Sequence, residues 1–322
     1  MNVLIVHSYE GILFSLTWKM PGKMGDYIYI VTTIFEKWCL VMVAISIDPN
    51  LCVHDGICVQ TCSECVFVQK NKDLPPDPVR SDLCNSCGQC VAICPHGALS
   101  HSDFPRGLIH EVEKDSTPDY EQLIALMRNR RAYRYFNDSR VSEEEIKKII
   151  EAARYAPTAL NAQGTRYLVI QDPLVLTEIS EFTRDRLMRM IQEIRKNHKD
   201  SDLSKDHTFN VISQKISEID DERDLFLHSA TALLIFYTGK EVSMSGINAN
   251  LALQNAALAA ETLGIGAFYA GFVLYAIRND PPFKKKIGIP DDCEIHGCLA
   301  IGYPKIRFEK WIERKPVEIS WK

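Results

Sequence analysis

From residue 120 onward, apolar positions recur with helical and strand periods. Leu123, Ile124 and Met127 share one helical face. Ser142-Glu-Glu-Glu145 is a capping box ahead of a helix predicted over Glu143 to Tyr155, with Ile146, Ile149, Ile150 and Ala153 facing inward. Thr177 to about Asn197 reads as a charged amphipathic helix. Asn248 to Leu263 is rich in alanine and leucine nearly all round, which predicts a buried helix, and Gly264 ends it. Tyr167 to Gln171, Ala232 to Tyr237 and Glu294 to Tyr303 read as apolar strands. Helices and strands mix without a strict βαβ rhythm, so the predicted class is α+β.

The first 120 residues follow a different pattern. Val-Ala-Ile-Ser-Ile-Asp48, just after Met42, reads as an opening strand. Asp73-Leu-Pro-Pro-Asp-Pro-Val79 is a loop that cannot be a helix interior. His96 to His101 is a turn into a short strand, and the polar stretch Glu111 to Asp119 is the best domain linker in the chain. Before Met42, Leu4 to Val6, Ile12 to Leu16 and Tyr27 to Phe35 are apolar, and Glu36 and Lys37 interrupt the longest run. None reaches the roughly 18 residues of a membrane span, and no basic segment with a small-residue cleavage site marks a secretory signal. The expected organisation is an N-terminal extension over 1–41, with Met42 as the natural start and a membrane anchor as the alternative reading of that extension, a small module over 42–112 and a larger domain over 113–322.

Cysteine spacing supplies the chemistry of the small module. Cys84-Asn-Ser-Cys87-Gly-Gln-Cys90-Val-Ala-Ile-Cys94-Pro95 is the Cys-x2-Cys-x2-Cys-x3-Cys-Pro pattern with which bacterial-type ferredoxins hold [4Fe–4S] clusters. A damaged copy lies upstream, Cys52-Val-His-Asp55-Gly-Ile-Cys58-Val-Gln-Thr-Cys62, with Asp55 at the second ligand position. In two-cluster ferredoxins the fourth cysteine of each motif serves the other cluster. The expected partition is Cys84, Cys87, Cys90 and Cys62 on one [4Fe–4S] cluster. Cys52, Cys58 and Cys94 hold the other, with Asp55 as an oxygen donor. A carboxylate is a harder donor than a thiolate. The second site is therefore either a [4Fe–4S] cluster with one aspartate ligand or a [3Fe–4S] cluster with that corner empty; the remaining alternative is a relic that binds nothing. Cys65 reads as a buried or unused thiol.

Composition narrows the picture further. The 322 residues are 46% hydrophobic and 25% charged, ordinary for a globular chain with a sizeable core. A net charge of −5 gives no general attraction to nucleic acid. Eight of the 11 cysteines crowd into Cys52 to Cys94 at metal spacing, and thiolate ligands need a reducing compartment, so a cytoplasmic location is expected. Cys293 and Cys298 read as buried small hydrophobes.

In the larger domain, Arg130-Arg131-Ala-Tyr-Arg134-Tyr-Phe136 gathers three arginines into a compact anion site; a solvated basic helix end is the alternative. It is followed by Ala156-Pro157-Thr158-Ala-Leu-Asn161-Ala-Gln163, rich in hydrogen-bonding groups. Together these segments resemble the nitroreductase family of flavoproteins, and the likeness runs from about Tyr120 to the C-terminus. Gln254-Asn255, Gly264-Ile-Gly266 with Gly271, and Ile301-Gly-Tyr-Pro304 also match positions typical of that family. Two residues depart from it: Ala132 replaces the usual serine, and Asn248 stands where an acid is common.

The resemblance implies a homodimer with FMN at the subunit interface. Arg130, Arg131 and Arg134 would hold the FMN phosphate, joined by Arg314. Pro157, Thr158, Ala159 and Asn161 would approach the flavin ring, usually from the partner subunit, and Tyr269, Ala270 and Gly271 would lie over it. No nucleophile–base pair stands out, and His207 and His228 read as surface or packing residues. The expected protein is a ferredoxin-like iron–sulfur module followed by a nitroreductase-like FMN domain. It would pass electrons to a nitroaromatic, a quinone or a related electron-poor acceptor, with NAD(P)H or an external ferredoxin as donor. The alternative is a non-enzymatic carrier or redox sensor.

Overall fold

The computed structural model describes residues 3–8, 11–16, 43–197, 210, 213–214 and 224–322. Contacts divide the chain into two compact units, Met1–Cys84 with Gly88–Arg106, and Asn85–Cys87 with Gly107–Lys322. Residues 3–8 and 11–16 form an antiparallel hairpin, β1 (Val3–Ser8) with β2 (Gly11–Leu16). The remainder of the 1–41 segment, including Cys39 and the Tyr27 to Phe35 run, lies outside the described residues, as do Met42 and His207. No helix among the described residues is long and apolar enough to cross a membrane.

In the first unit, β3 (Ile45–Ile47) pairs antiparallel with β4 (Leu99–His101), as the opening strand and the turn after Pro95 predict. Between them lie two five-residue helices, α1 (Ile57–Thr61) and α2 (Gln89–Ile93). Among the described residues, the buried cluster here comprises Val66, Phe67 and Leu99 with the Cys58 and Cys90 side chains, and Ile45, Ile47, Val59 and Val91 pack partly buried against it. A core this small leans on cross-links or metal for stability.

The second unit is built on a four-stranded antiparallel sheet in the order β5 (Arg166–Ile170), β6 (Ala232–Gly239), β8 (Cys293–Gly302), β7 (Gly266–Tyr269). The central strand β6 is apolar at every position from Ala232 to Phe236, and all five are fully buried. Successive side chains point to opposite faces of a strand. Leu233 and Ile235 therefore enter one core, and Ala232, Leu234 and Phe236 the other. Burying each leucine or isoleucine contributes about 1.5–3 kcal/mol. Helices α4 (Glu143–Arg154) and α6 (Ser245–Thr262) cover the second face. Helices α5 (Pro173–Asn197), α7 (Gly271–Ile277) and α8 (Pro281–Lys286) cover the first. Ala249, Ala252, Ala256 and Ala260 are buried along α6, and their small side chains let it lie close to the sheet and to α4.

The predicted start at Glu143 holds, whereas α5 and α6 begin earlier than read from the sequence, at Pro173 rather than Thr177 and at Ser245 rather than Asn248. At Ser142 the capping box is complete, with the Glu145 N–H donating to Ser142 Oγ at 3.3 Å and the Ser142 N–H to the Glu145 carboxylate at 3.0 Å. Helix α3 (Tyr120–Asn129) has its own capping box, Asp119 with Gln122, whose first member is the last residue of the stretch read from sequence as linker. Among the described residues its apolar face is only partly covered: Leu123 is 40% and Met127 46% exposed, and Ile124 is half-buried. Cys293 and Cys298 are fully buried, as expected. Replacing Ser142→Ala should lower stability by about 1 kcal/mol, seen as an earlier urea midpoint by circular dichroism; an unchanged midpoint would contradict the role given to the cap.

Candidate functional site

The two cysteine motifs fold alike. Gly56 (φ 68°) precedes α1 and Gly88 (φ 73°) precedes α2, both in the left-handed region that glycine tolerates best. Two residues before each glycine, His54 and Ser86 are also left-handed, at φ 62° and 52°. Cys58 and Cys90 ride on the two helices, and Cys62 and Cys94 cap them in extended conformation. The fourth-position sulfurs share one more feature. Cys62 Sγ accepts the Val66 N–H at 3.4 Å, and Cys94 Sγ accepts the Ala98 N–H at 3.3 Å. The upstream motif has lost a cysteine but kept the backbone of the downstream one.

Cys52, Asp55 and Cys58 line one small cavity with Cys94 from the other motif. Burial pushes the Cys58 thiol above its ordinary pKa, and the negative charges of Cys52 and Asp55 add to this, while backbone N–H groups oppose it. Thiol and carboxylate donors gathered in this way would suit an iron–sulfur cluster. Among the described residues no three His, Cys, Asp or Glu side chains gather closely enough for a single ion; a multi-iron cluster spreads its ligands more widely. Cys65 is exposed rather than buried and adopts φ 52°. Cys84 Sγ lies 3.5 Å from His101 Nε2. Burial lowers the pKa of that imidazole, with Asp103 opposing.

In the second unit the arginine segment runs extended beside the sheet. The Tyr133 N–H donates to Ala267 O at 3.2 Å and the Asn137 N–H to Tyr303 O at 2.9 Å. Tyr133 and Phe136 are buried and pin it. Each lies on a glycine: a Cβ on Gly266 would sit 2.8 Å from the Tyr133 ring, and one on Gly302 2.9 Å from Phe136. Arg134 is thereby brought to a cavity of about 720 Å³ that it lines together with Tyr269, Ala270 and Gly271. The walls are Phe226, Phe268, Phe272 and Tyr275, with Leu187 and Met190 from α5. Volume and lining suit a planar cofactor or ligand. Burial raises the Tyr269 pKa, helped by Cys298 and opposed by Arg278. Arg131 stands over the Phe308 ring at 5.5 Å, and Arg128 over Trp311 at 4.9 Å, so the C-terminal tail returns beside the arginines. Arg130 caps α3, and Arg314 is exposed farther along the tail.

Pro157, Thr158, Ala159 and Asn161 do not line this cavity. Their loop is strained, with Leu160, Asn161 and Gln163 at φ 52°, 54° and 43°. Side chains hold it in place. Thr158 Oγ1 accepts the Gln163 N–H, and Asn161 Nδ2 donates to the carbonyls of Asn85 and Ser86, residues grouped with this unit. Asn248, 2% exposed on α6, is the main clamp: its Oδ1 accepts the Ala159 N–H at 3.1 Å and its Nδ2 donates to Ser243 O at 2.9 Å. An aspartate could accept but not donate, so the departure from the usual acid suits this loop.

One further residue was not apparent from sequence. Asp224 accepts N–H bonds from Phe226, Leu227 and Ser229 and a hydroxyl bond from Ser180. Burial alone would raise its carboxyl, but these bonds prevail and hold it below the ordinary value. The loop it organises carries His228, which lines the cavity and packs edge-on against Phe268 at 5.3 Å. The signal for Asn248 was its departure from the acid common in the family; Asp224 gave none.

The sequence model of the nitroreductase family matches residues 127–303, over half of the chain. The chain belongs to the nitroreductase family. A 4Fe-4S binding domain model matches residues 78–100, the downstream motif. Among curated relatives, a putative NADH dehydrogenase/NAD(P)H nitroreductase of Archaeoglobus fulgidus is 26% identical over 58% of this chain and 87% of its own length. An iodotyrosine deiodinase of Thermotoga neapolitana is 23% identical over 57% of this chain and 89% of its own. A ferredoxin of Hydrogenibacillus schlegelii described as 7Fe is 33% identical over 18% of this chain and 69% of its own. Among solved structures, an FMN-bound nitroreductase from Bacteroides fragilis aligns with 62% of this chain and 99% of its own, at 20% identity and TM-score 0.48. This nitroreductase-family oxidoreductase thus carries a ferredoxin-type iron–sulfur domain ahead of its α+β domain, as the sequence implied.

Asn248→Ala should leave the Ala159 N–H unpaired and cost about 1–3 kcal/mol. Faster proteolysis of the 157–163 loop is the expected readout, and a loop as resistant as in the native protein would refute the clamp.

Proposed function

We propose that this nitroreductase-type FMN oxidoreductase passes electrons between iron–sulfur clusters, its flavin and an electron-poor organic acceptor such as a nitroaromatic or a quinone. The observation that carries the reading is the cavity shared by Arg134, the Tyr269–Gly271 backbone and an aromatic wall. FMN supplies both one-electron and two-electron chemistry when bound, which suits exchange with clusters that pass one electron at a time.

The chain's own residues bind and orient. Arg134 favours negative charge inside the cavity. Arg130 and Arg131 offset the FMN phosphate, with Arg314 assisting from the tail. Gly271 lets backbone approach the ring. Phe226, Phe268, Phe272 and Tyr275 offer faces and edges on which a flat acceptor stacks. Pro157, Thr158, Ala159 and Asn161 approach the ring from the partner subunit of a homodimer. The half-exposed Leu123 and Met127 and the exposed tail residues Phe308, Trp311 and Ile312 support such a dimer, since a single copy leaves them uncovered.

In the iron–sulfur domain, spanning about 42–112, Cys84, Cys87, Cys90 and Cys62 hold one [4Fe–4S] cluster. Cys52, Cys58 and Cys94 hold a second cluster of four or three irons, with Asp55 at its fourth corner. The shared backbone of the two turns supports this count, as does the ferredoxin relative described as 7Fe. Electrons enter from NAD(P)H or an external ferredoxin in a reducing, cytoplasmic setting.

The deciding assay is anaerobic turnover of a nitroaromatic and a quinone with NAD(P)H or reduced ferredoxin. Steady turnover is expected; cluster–flavin exchange with no organic turnover would favour a carrier instead. Arg130→Ala combined with Arg134→Ala should release FMN on gel filtration while iron is retained, and unchanged flavin content would refute the arginine assignment.

A further inference from the structure

We propose that His101 is a fixed N–H donor to the Cys84 sulfur and raises the reduction potential of the cluster that Cys84 holds. The inference rests on the reading of Cys84 as an iron ligand. His101 ends β4 and is 5% exposed. Its Nε2 lies 3.5 Å from Cys84 Sγ, and its Nδ1 faces the Asp103 N–H at 3.1 Å. A backbone N–H can only donate, so Nδ1 must accept. A neutral imidazole that accepts at Nδ1 carries its hydrogen on Nε2. That hydrogen points at the sulfur.

The ring is also held sterically. Phe104 packs against it with centroids 4.7 Å apart. The same Phe104 lies over Gly88, where a Cβ would come within 3.2 Å of the ring. The donor is thus tied to the cysteine turn itself.

The two motifs are offset by 32 residues, and the same offset places Gln69 where His101 stands. Gln69 does not act on a sulfur. Its Nε2 donates to the carbonyls of His54 and Leu74, both at 3.1 Å. The backbone bonds from Val66 to Cys62 and from Ala98 to Cys94 occur in both halves, so they do not distinguish the two sites. His101 does.

A hydrogen bond to a thiolate ligand withdraws charge from sulfur and favours the reduced, more negative cluster. The step is the uptake of one electron from an external reductant. No bond forms or breaks, and His101 keeps its proton throughout.

The test uses the full-length protein purified anaerobically, with His101→Phe and His101→Gln variants. Iron and sulfide are assayed first, then each cluster is titrated with dithionite and mediators while its paramagnetic resonance is followed. His101→Phe should keep its iron and shift one cluster toward oxidised by about tenfold, a fall of about 59 mV for one electron. The other cluster should not move, and His101→Gln, which keeps an N–H donor, should recover part of the shift. A fully loaded His101→Phe protein with both potentials unchanged, or with both moved equally, would overturn the proposal. If His101→Phe loses iron, native protein labelled with 15N-histidine decides. Nitrogen coupling to one reduced cluster in pulsed resonance is expected, and its absence would overturn the proposal. Native protein without iron would remove the ligand reading itself, and the inference with it.

Discussion

The geometry of the candidate site depends on the close approach of one extended segment to the sheet. Tyr133 lies on Gly266 and Phe136 on Gly302, at separations that leave no room for a Cβ. Both aromatic side chains are buried, so the arginines between and beside them have little freedom of position. Arg134 then reaches the cavity beside Tyr269 to Gly271, and Arg131 meets the returning tail at Phe308. If Gly266 carried a side chain, the segment would have to lift, and the cationic edge of the cavity would go with it. The sheet beneath is rigid for an ordinary reason: β6 is apolar on both faces and buried throughout its first five residues.

The iron–sulfur module answers to a different constraint. Its buried apolar cluster is small, and its thiol and carboxylate donors repel one another once ionised. Metal ligation would relieve both problems, since it would neutralise the donors and cross-link the two turns. The paired left-handed residues His54 with Gly56 and Ser86 with Gly88 fix where each turn presents its donors. Asp55 therefore stands on a preserved backbone, which is why a lost cysteine need not mean a lost site.

Sequence was most informative where the determinants are local. Cysteine spacing, the Ser142 capping box, the left-handed Gly264 after α6 and the apolar run of β6 all depend on neighbours a few residues away, and each appears in the structure as expected. Information was lost where a contact spans the chain. Asn248 looked like a departure from the family pattern, yet it clamps Ala159 from 89 residues away. Asp224 organises the His228 loop through Ser180, a bond that no periodicity encodes. The Leu123 and Met127 face was legible as a helical stripe, but its exposure in one chain was not. Asp119 with Gln122 was a readable capping box hidden by the polar composition around it.

The central claim is that one chain holds both an iron–sulfur relay and a flavin. The most direct measurement is the iron, acid-labile sulfide and FMN content per chain of protein purified without oxygen. The account predicts about one FMN with about seven or eight irons, the lower figure marking an empty corner beside Asp55. Iron without flavin, or flavin without iron, would contradict it.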